Sequence, residues 1–231
     1  MPSIDTDQEL INAAEAGSAA RVSELLAQGA DPRSLESRAL QLAAHNGHEK
    51  CVKLLVPVAD AKANESYALR GAAMNGHAEC VRALFPVSNP KACRSMALRW
   101  AAESGHEECG RMLLPVSDAK AAHSDALRLA ACGGHMECVM LLMPVSEPLG
   151  EIAGLLEAVI EEGHANVAAL LIDQEPALVD GLDLSKHLSG AIERGQRSLA
   201  SYLSSLIEQK ELVSVAPDAA ARSGWRHACS L

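Results

Sequence analysis

Leucine and alanine stand in a fixed relation to a recurring glycine along this chain. Seven residues before that Gly comes a Leu: Leu10, Leu40, Leu69, Leu98, Leu127, Leu156 and Leu188. Four and three residues before it comes an apolar pair: Ala13-Ala14, Ala43-Ala44, Ala72-Ala73, Ala101-Ala102 and Ala130-Ala131. In the last two copies the pair becomes Val159-Ile160 and Ala191-Ile192. Leu at i with apolar residues at i+3 and i+4 lines one face of a helix. The small alanines leave room for a neighbouring helix to approach closely. After the Gly a second apolar pattern begins, as in Cys51-Val52 with Leu54-Leu55-Val56, and Cys138-Val139 with Leu141-Leu142-Met143. It predicts a second helix with a broad apolar face. Pro57, Pro86, Pro115 or Pro144 stops it each time, since proline has no N–H to continue the helical ladder.

Polar residues punctuate the pattern. Ser37, Ser66, Ser95 and Ser124 precede the central first helices. They read as N-caps that accept a bond from an orphaned backbone N–H. The Gly suits a left-handed C-cap. The first helix of each unit is then about nine residues long, roughly 13 Å. Short polar links such as VSNPKACR (87–94) and VSDAKAAH (116–123) join one unit to the next.

The landmark is Gly-His: Gly47-His48, Gly76-His77, Gly105-His106, Gly134-His135 and Gly163-His164, spaced by 29 residues. Weaker copies stand at Gly17-Ser18 and Gly195-Gln196. A fixed period of this size means stacked supersecondary units. Units fall near 7–36, 37–65, 66–94, 95–123, 124–152, 153–183 and 184–210. They predict one repeat domain over 1–210 and a C-terminal tail over 211–231.

The order helix, Gly turn, helix, link, with ALRLAACGGHMECVMLL as one full copy, resembles the ankyrin repeat. The first copy, residues 13–32, carries an LLxxGADP-like ending, LLAQGADP. The resemblance covers about residues 7–208. It departs from the family in two ways. The usual unit has 33 residues, four more than here, and the alignment places the deletion in the link, where ankyrins form a β-hairpin finger. The Thr-Pro-Leu-His helix start is replaced by Tyr67-Ala68-Leu69-Arg70, Met96-Ala97-Leu98-Arg99 and Asp125-Ala126-Leu127-Arg128. The expected fold is therefore an all-α, ankyrin-like helical solenoid of about seven helix-turn-helix repeats with little or no β-hairpin finger.

Composition narrows the function. The 231 residues are 48% hydrophobic but only 2% aromatic, so Ala, Leu, Val and Met must build the core. A net charge of −10 argues against a nucleic-acid surface, which needs a basic face. No apolar run approaches the roughly 18–20 residues of a membrane span. The start, MPSIDTDQEL, has no charged-then-apolar secretory pattern. Seven cysteines, four of them one per repeat, suit a reducing cytoplasm rather than a disulfide framework.

His48/Cys51, His77/Cys80, His106/Cys109 and His135/Cys138 form a periodic HxxC. Zinc binds its ligands at about 2.0–2.3 Å. Equivalent side chains in adjacent repeats should stand roughly 8–10 Å apart. One His/Cys pair supplies only two of four ligands. The favoured reading is therefore structural: the His closes the turn and the Cys is a small buried apolar residue. No GxSxG, phosphate-cradling Gly loop or HExxH occurs. No enzyme activity, metal or cofactor is expected.

Lys62, Lys91 and Lys120, with Arg70, Arg99 and Arg128, make two basic rows. They form either a solvated row, paired to Glu79, Glu108 and Glu137, or a stripe that steers an acidic peptide. Variable positions within the fixed frame locate the binding face on the first helices and links. The resemblance places that face on the concave side. Binding surfaces need a few aromatic or Arg anchors. The candidates are Tyr67, Arg70, Met74, Met96, Arg99, Trp100, Glu103 and Arg128, with Trp100 open to either a core or a surface role.

The leading expectation is a monomeric, non-enzymatic protein-interaction module in the cytoplasm. The alternative is the substrate-recognition ankyrin part of a bacterial toxin or effector, delivered into a host cell, with its catalytic part elsewhere.

Overall fold

The computed structural model describes residues 4–152 and 154–215. Residues 216–231, most of the segment read as a tail, lie outside the described residues. Fourteen helices and no strand occur among the described residues, and they fall into seven pairs. The pairs are α1 (Ile4–Glu15) and α2 (Ala19–Ala27), α3 (Ser34–His45) and α4 (Glu49–Leu55), and α5 (Ala63–Met74) and α6 (Ala78–Leu84). Next come α7 (Ala92–Glu103) and α8 (Glu107–Leu113), then α9 (Ala121–Cys132) and α10 (Met136–Leu142). The last are α11 (Leu155–Glu162) and α12 (Ala165–Gln174), and α13 (Leu184–Glu193) and α14 (Arg197–Val215). The helical-repeat expectation therefore holds, including the lack of a hairpin finger.

The chain divides into two compact units. One comprises the chain up to Ala130 together with Glu137–Glu147; the other comprises Ala131–Met136 and the chain from Pro148 onward. In the first, α1, α3, α5 and α7 pack in succession, as do α2, α4, α6 and α8. The Leu column explains why: Leu10, Leu40, Leu69, Leu98 and Leu127 have no exposed surface. The alanine pairs beside them are buried too, so helix backbones meet closely. Val52, Val81, Leu55, Leu84, Leu113 and Leu142 close the core from the second helices. In the second unit, α11 packs on α12 and α13, and α14 on α12 and α13. Leu156, Val159, Ile160, Leu171, Ala191, Leu199 and Leu203 are among its buried side chains.

The links use turn chemistry in place of the finger. In each, an Asp or Asn side chain accepts the backbone N–H two residues on: Asp60 from Lys62 at 2.9 Å, Asn89 from Lys91 at 3.1 Å, and Asp118 from Lys120 at 3.0 Å. This short local bond reverses the chain without a hairpin. Three residues with positive φ follow: Leu35–Ser37, Asn64–Ser66, Cys93–Ser95 and Ala122–Ser124, with φ from 47 to 61°. Left-handed backbone costs an L-residue about 1–2 kcal/mol. None of the twelve is glycine, so packing around each turn must offset that cost.

This geometry corrects the N-cap reading of the serines. Ser37, Ser66, Ser95 and Ser124 sit in the left-handed turn, and no side-chain cap bond is made at the start of α3, α5 or α7. The hydroxyl of each is turned toward the link that closes its repeat. It accepts the backbone N–H of Asp60, Asn89, Asp118 and Glu147 respectively, at 2.8–2.9 Å. The serines are 0–1% exposed, so each bond is a buried staple between the left-handed turn that opens a repeat and the link that closes it. The glycine expectation holds: Gly47, Gly76, Gly105 and Gly134 end their first helices at φ of 73–75°.

Candidate functional site

The most visible residues of the repeat hold the array together. The His77 ring Nε2 lies 3.0 Å from the His45 carbonyl, at the end of the preceding first helix. His48 makes the same contact to the Glu15 carbonyl at 2.9 Å. The His therefore reaches back to the previous repeat rather than closing its own turn. Its ring also covers the previous repeat's glycine. A Cβ on Gly47 would stand 2.5 Å from His77 Nδ1, and one on Gly76 the same distance from His106 Nδ1. Burial pulls His77 below its ordinary value, an effect the His45 carbonyl partly offsets.

The cysteines behave as small apolar core residues. Cys51, Cys80, Cys109 and Cys138 are 1% exposed. Burial pushes the thiols of Cys80, Cys109 and Cys138 up to about 11 and raises Cys51 as well. Among the described residues no three His, Cys, Asp or Glu side chains stand where they could hold a metal ion. Nor is any described helix long and apolar enough to cross a membrane.

The predicted binding residues form two clusters on the first helices. In the first, the Arg70 guanidinium carbon lies 5.3 Å from the Tyr67 ring centre and 5.5 Å from that of Trp100. Both are within cation–π range. Tyr67 and Arg70 sit three apart on α5, so one helical face carries both, and Trp100 reaches across from α7. Arg70 Nη2 donates to the Asn64 carbonyl at 2.9 Å, and Nη1 lies 3.2 Å from Met96 Sδ. Its Nε is buried with no acceptor, and among the described residues Arg70 has no carboxylate partner. Four of the eight candidates thus converge: Tyr67, Arg70, Met96 and Trp100. Trp100 is half-buried, so the rim of this cluster rather than the core holds it.

Asp125 organises the second cluster. Arg99 Nε donates to its Oδ2 at 2.7 Å, and Arg128 donates to its Oδ1 from Nε at 3.1 Å and from Nη2 at 2.5 Å. Burial pushes Asp125 up, but the hydrogen bonds and charges of Arg128 and Arg99 outweigh that and hold it below the ordinary carboxylate range. Two of the three row arginines therefore share one acid outside the predicted set. Asp125 heads its helix in the column of Arg38, Tyr67 and Met96, so its variation within the frame was its one visible signal. The acids proposed as row partners go elsewhere: Glu79 and Glu108 both pair with Arg82, each at 3.3 Å. Met74 is 44% exposed and Glu103 is exposed.

Tandem helix pairs, each stapled by its Ser and tied to the neighbouring repeat by His and Gly, define an α-helical repeat protein. The chain belongs to the ankyrin repeat family: a family model for ankyrin repeats, three copies long, matches residues 10–92 and, in a second placement, 69–152. Ankyrin repeats are in general protein–protein interaction modules and typically have no catalytic activity of their own. No curated protein matches this chain.

Proposed function

We propose that the protein is a non-enzymatic interaction module that binds a protein or peptide on the first-helix face around Tyr67, Arg70, Met96 and Trp100. One observation carries this reading. Arg70 is held by two aromatic rings and a carbonyl, yet has no carboxylate partner among the described residues. A cation fixed in place without a counter-ion offers an acidic partner a preorganised contact, because little side-chain freedom is lost on binding. Tyr, Trp and Arg are also the residue types that dominate binding energy at interfaces. Met74, Arg99, Glu103 and Arg128 would form the surrounding rim, with Arg99 and Arg128 already partnered.

The test starts with capture of partners by the wild-type chain and by an Arg70→Glu variant of unchanged circular dichroism. A partner kept by the first and lost by the second is then titrated against Tyr67→Ala, Arg70→Ala and Trp100→Ala. Each should weaken binding about 30-fold, the size expected of a hot-spot residue. Unchanged affinity in all three would remove the site.

A further inference from the structure

A second basic feature lies on the links. Lys91, Arg94, Lys120 and His123 line an open cavity of about 590 Å³, together with Asp118 and Glu147. The four basic side chains come from two consecutive links. None of them makes an ion pair among the described residues. Arg94 and His123 each occupy the middle of a left-handed turn, and both are exposed.

The two acids are less free to neutralise the cavity than their number suggests. Asp118 Oδ1 already accepts the Lys120 backbone N–H at 3.0 Å. Glu147 lines the cavity, and its backbone N–H donates to Ser124 Oγ. Three permanent cations thus face two carboxylates, in a protein whose net charge is −10. A local excess of positive charge runs against the global balance.

One repeat earlier, Glu65 stands where Arg94 stands, and it accepts the Cys93 thiol. The lysines recur at 62, 91 and 120, so the column carrying Glu65, Arg94 and His123 sets the sign of each link. The preceding pair of links, 62 to 94, also holds two lysines and an arginine but sets Glu65 among them, whereas from 91 to 123 that column carries Arg94 and His123.

We infer that this cavity binds a phosphoryl group carried by a partner protein. A lone carboxylate is satisfied by one guanidinium fork. A guanidinium plus two ammonium groups, converging from two turns, matches a group with about two negative charges and three acceptor oxygens. The inference extends the protein-binding reading to a second surface, but its test uses a small probe and so stands or falls without that reading.

The experiment is a backbone amide NMR titration of the full chain with O-phospho-L-serine, and with acetate as the singly charged comparison, at constant ionic strength. The expected result is saturable shifts in 91–95 and 118–123 that acetate produces far less. Arg94→Glu should weaken the response at least about tenfold, as loss of a charge-assisted bond predicts. Glu147→Gln should tighten it about two- to fivefold, because a repelling but solvent-screened charge is removed. Glu65→Arg should create a second responsive set near 62–66 and 89–94. Equal responses to acetate and phosphoserine, no saturation, or an unchanged response in Arg94→Glu would each overturn the assignment.

Discussion

The hydroxyl of Ser66 accepts the backbone N–H of Asn89 at 2.8 Å, across 23 residues, from the turn that opens a repeat to the link that closes it. Ser66 has no exposed surface, so no water can take the place of the hydroxyl. Ser66→Ala leaves the Asn89 N–H buried without an acceptor. The expected loss is about 1–3 kcal/mol in urea unfolding at constant slope. Ser18 provides the contrast, because it stands at the head of α2 without a side-chain cap bond. Ser18→Ala should change stability by less than about 0.5 kcal/mol. Equal effects at the two serines would contradict the staple.

Gly76 and His106 form the companion contact. Gly76 has φ of 73°, and a Cβ placed there would stand 2.5 Å from His106 Nδ1. Gly76→Ala therefore carries two costs. The left-handed backbone costs about 1–2 kcal/mol and the overpacked ring about 1–3 kcal/mol. His106→Ala removes the ring, so in the double variant only the backbone cost of the alanine remains. A double-mutant cycle should show a coupling of at least about 1 kcal/mol. Strict additivity would mean that the ring does not sit over the glycine.

What could be read in advance followed from periodicity. Leu at i with Ala at i+3 and i+4, a Pro stop and a Gly end are local rules, and α3 to α10 obey them. Longer-range contacts were not legible in the same way. The Ser66 hydroxyl bonds to the link that closes its repeat and the His77 ring to the previous repeat, and nothing in the composition of one unit shows which way a side chain turns. The left-handed turns were invisible because they contain no glycine, the residue that usually marks positive φ. Tyr67, Arg70 and Trp100 were each singled out, yet their meeting was hidden. Trp100 lies 33 residues after Tyr67, so column alignment at 29 places them in different columns. Asp125 was missed as a partner because a carboxylate heading a helix reads as one more variable surface position.

Leu35 tests the left-handed turns directly. It has φ of 47° and is 67% exposed, so its side chain contributes little packing. Leu35→Gly removes the roughly 1–2 kcal/mol of left-handed strain and adds about 0.4–1 kcal/mol of unfolded-chain entropy. The net expectation is a stabilisation of about 0.5–1 kcal/mol, read as a higher urea midpoint. A destabilised variant would show that the turn is not strained.

Asp125 should make stability sensitive to acid. Its carboxyl is held below the ordinary value in the fold, so the unfolded chain takes up that proton more readily. The contribution is present in full above the ordinary Asp value near 4 and is lost as pH falls through the lowered folded value. Urea midpoints measured from pH 6 down to pH 2.5 should fall less steeply in Asp125→Asn than in the wild type. At pH 6 the variant should start lower, because Arg99 and Arg128 then share a neutral acceptor. Parallel pH profiles would separate Asp125 from acid sensitivity.

The thiols should react in an order set by burial and by one carboxylate. The thiolate is the reacting form. A thiol pushed up to about 11, as at Cys80, Cys109 and Cys138, is ionised at pH 8 only to roughly one part in a thousand. These three are also 1% exposed, so they should label only when the chain unfolds. Cys93 is partly exposed, and its thiol is raised mainly by the hydrogen bond to Glu65, with a smaller contribution from burial. Glu65→Gln removes the negative charge that opposes ionisation there. Maleimide labelling of the native chain at pH 8, read by peptide mass, should show Cys93 modified ahead of the buried three. Its rate should rise in Glu65→Gln while theirs does not. Labelling of Cys80 or Cys109 at a rate comparable to Cys93 in the folded chain would mean that the repeat core opens locally, and the buried reading of the periodic cysteines would fail.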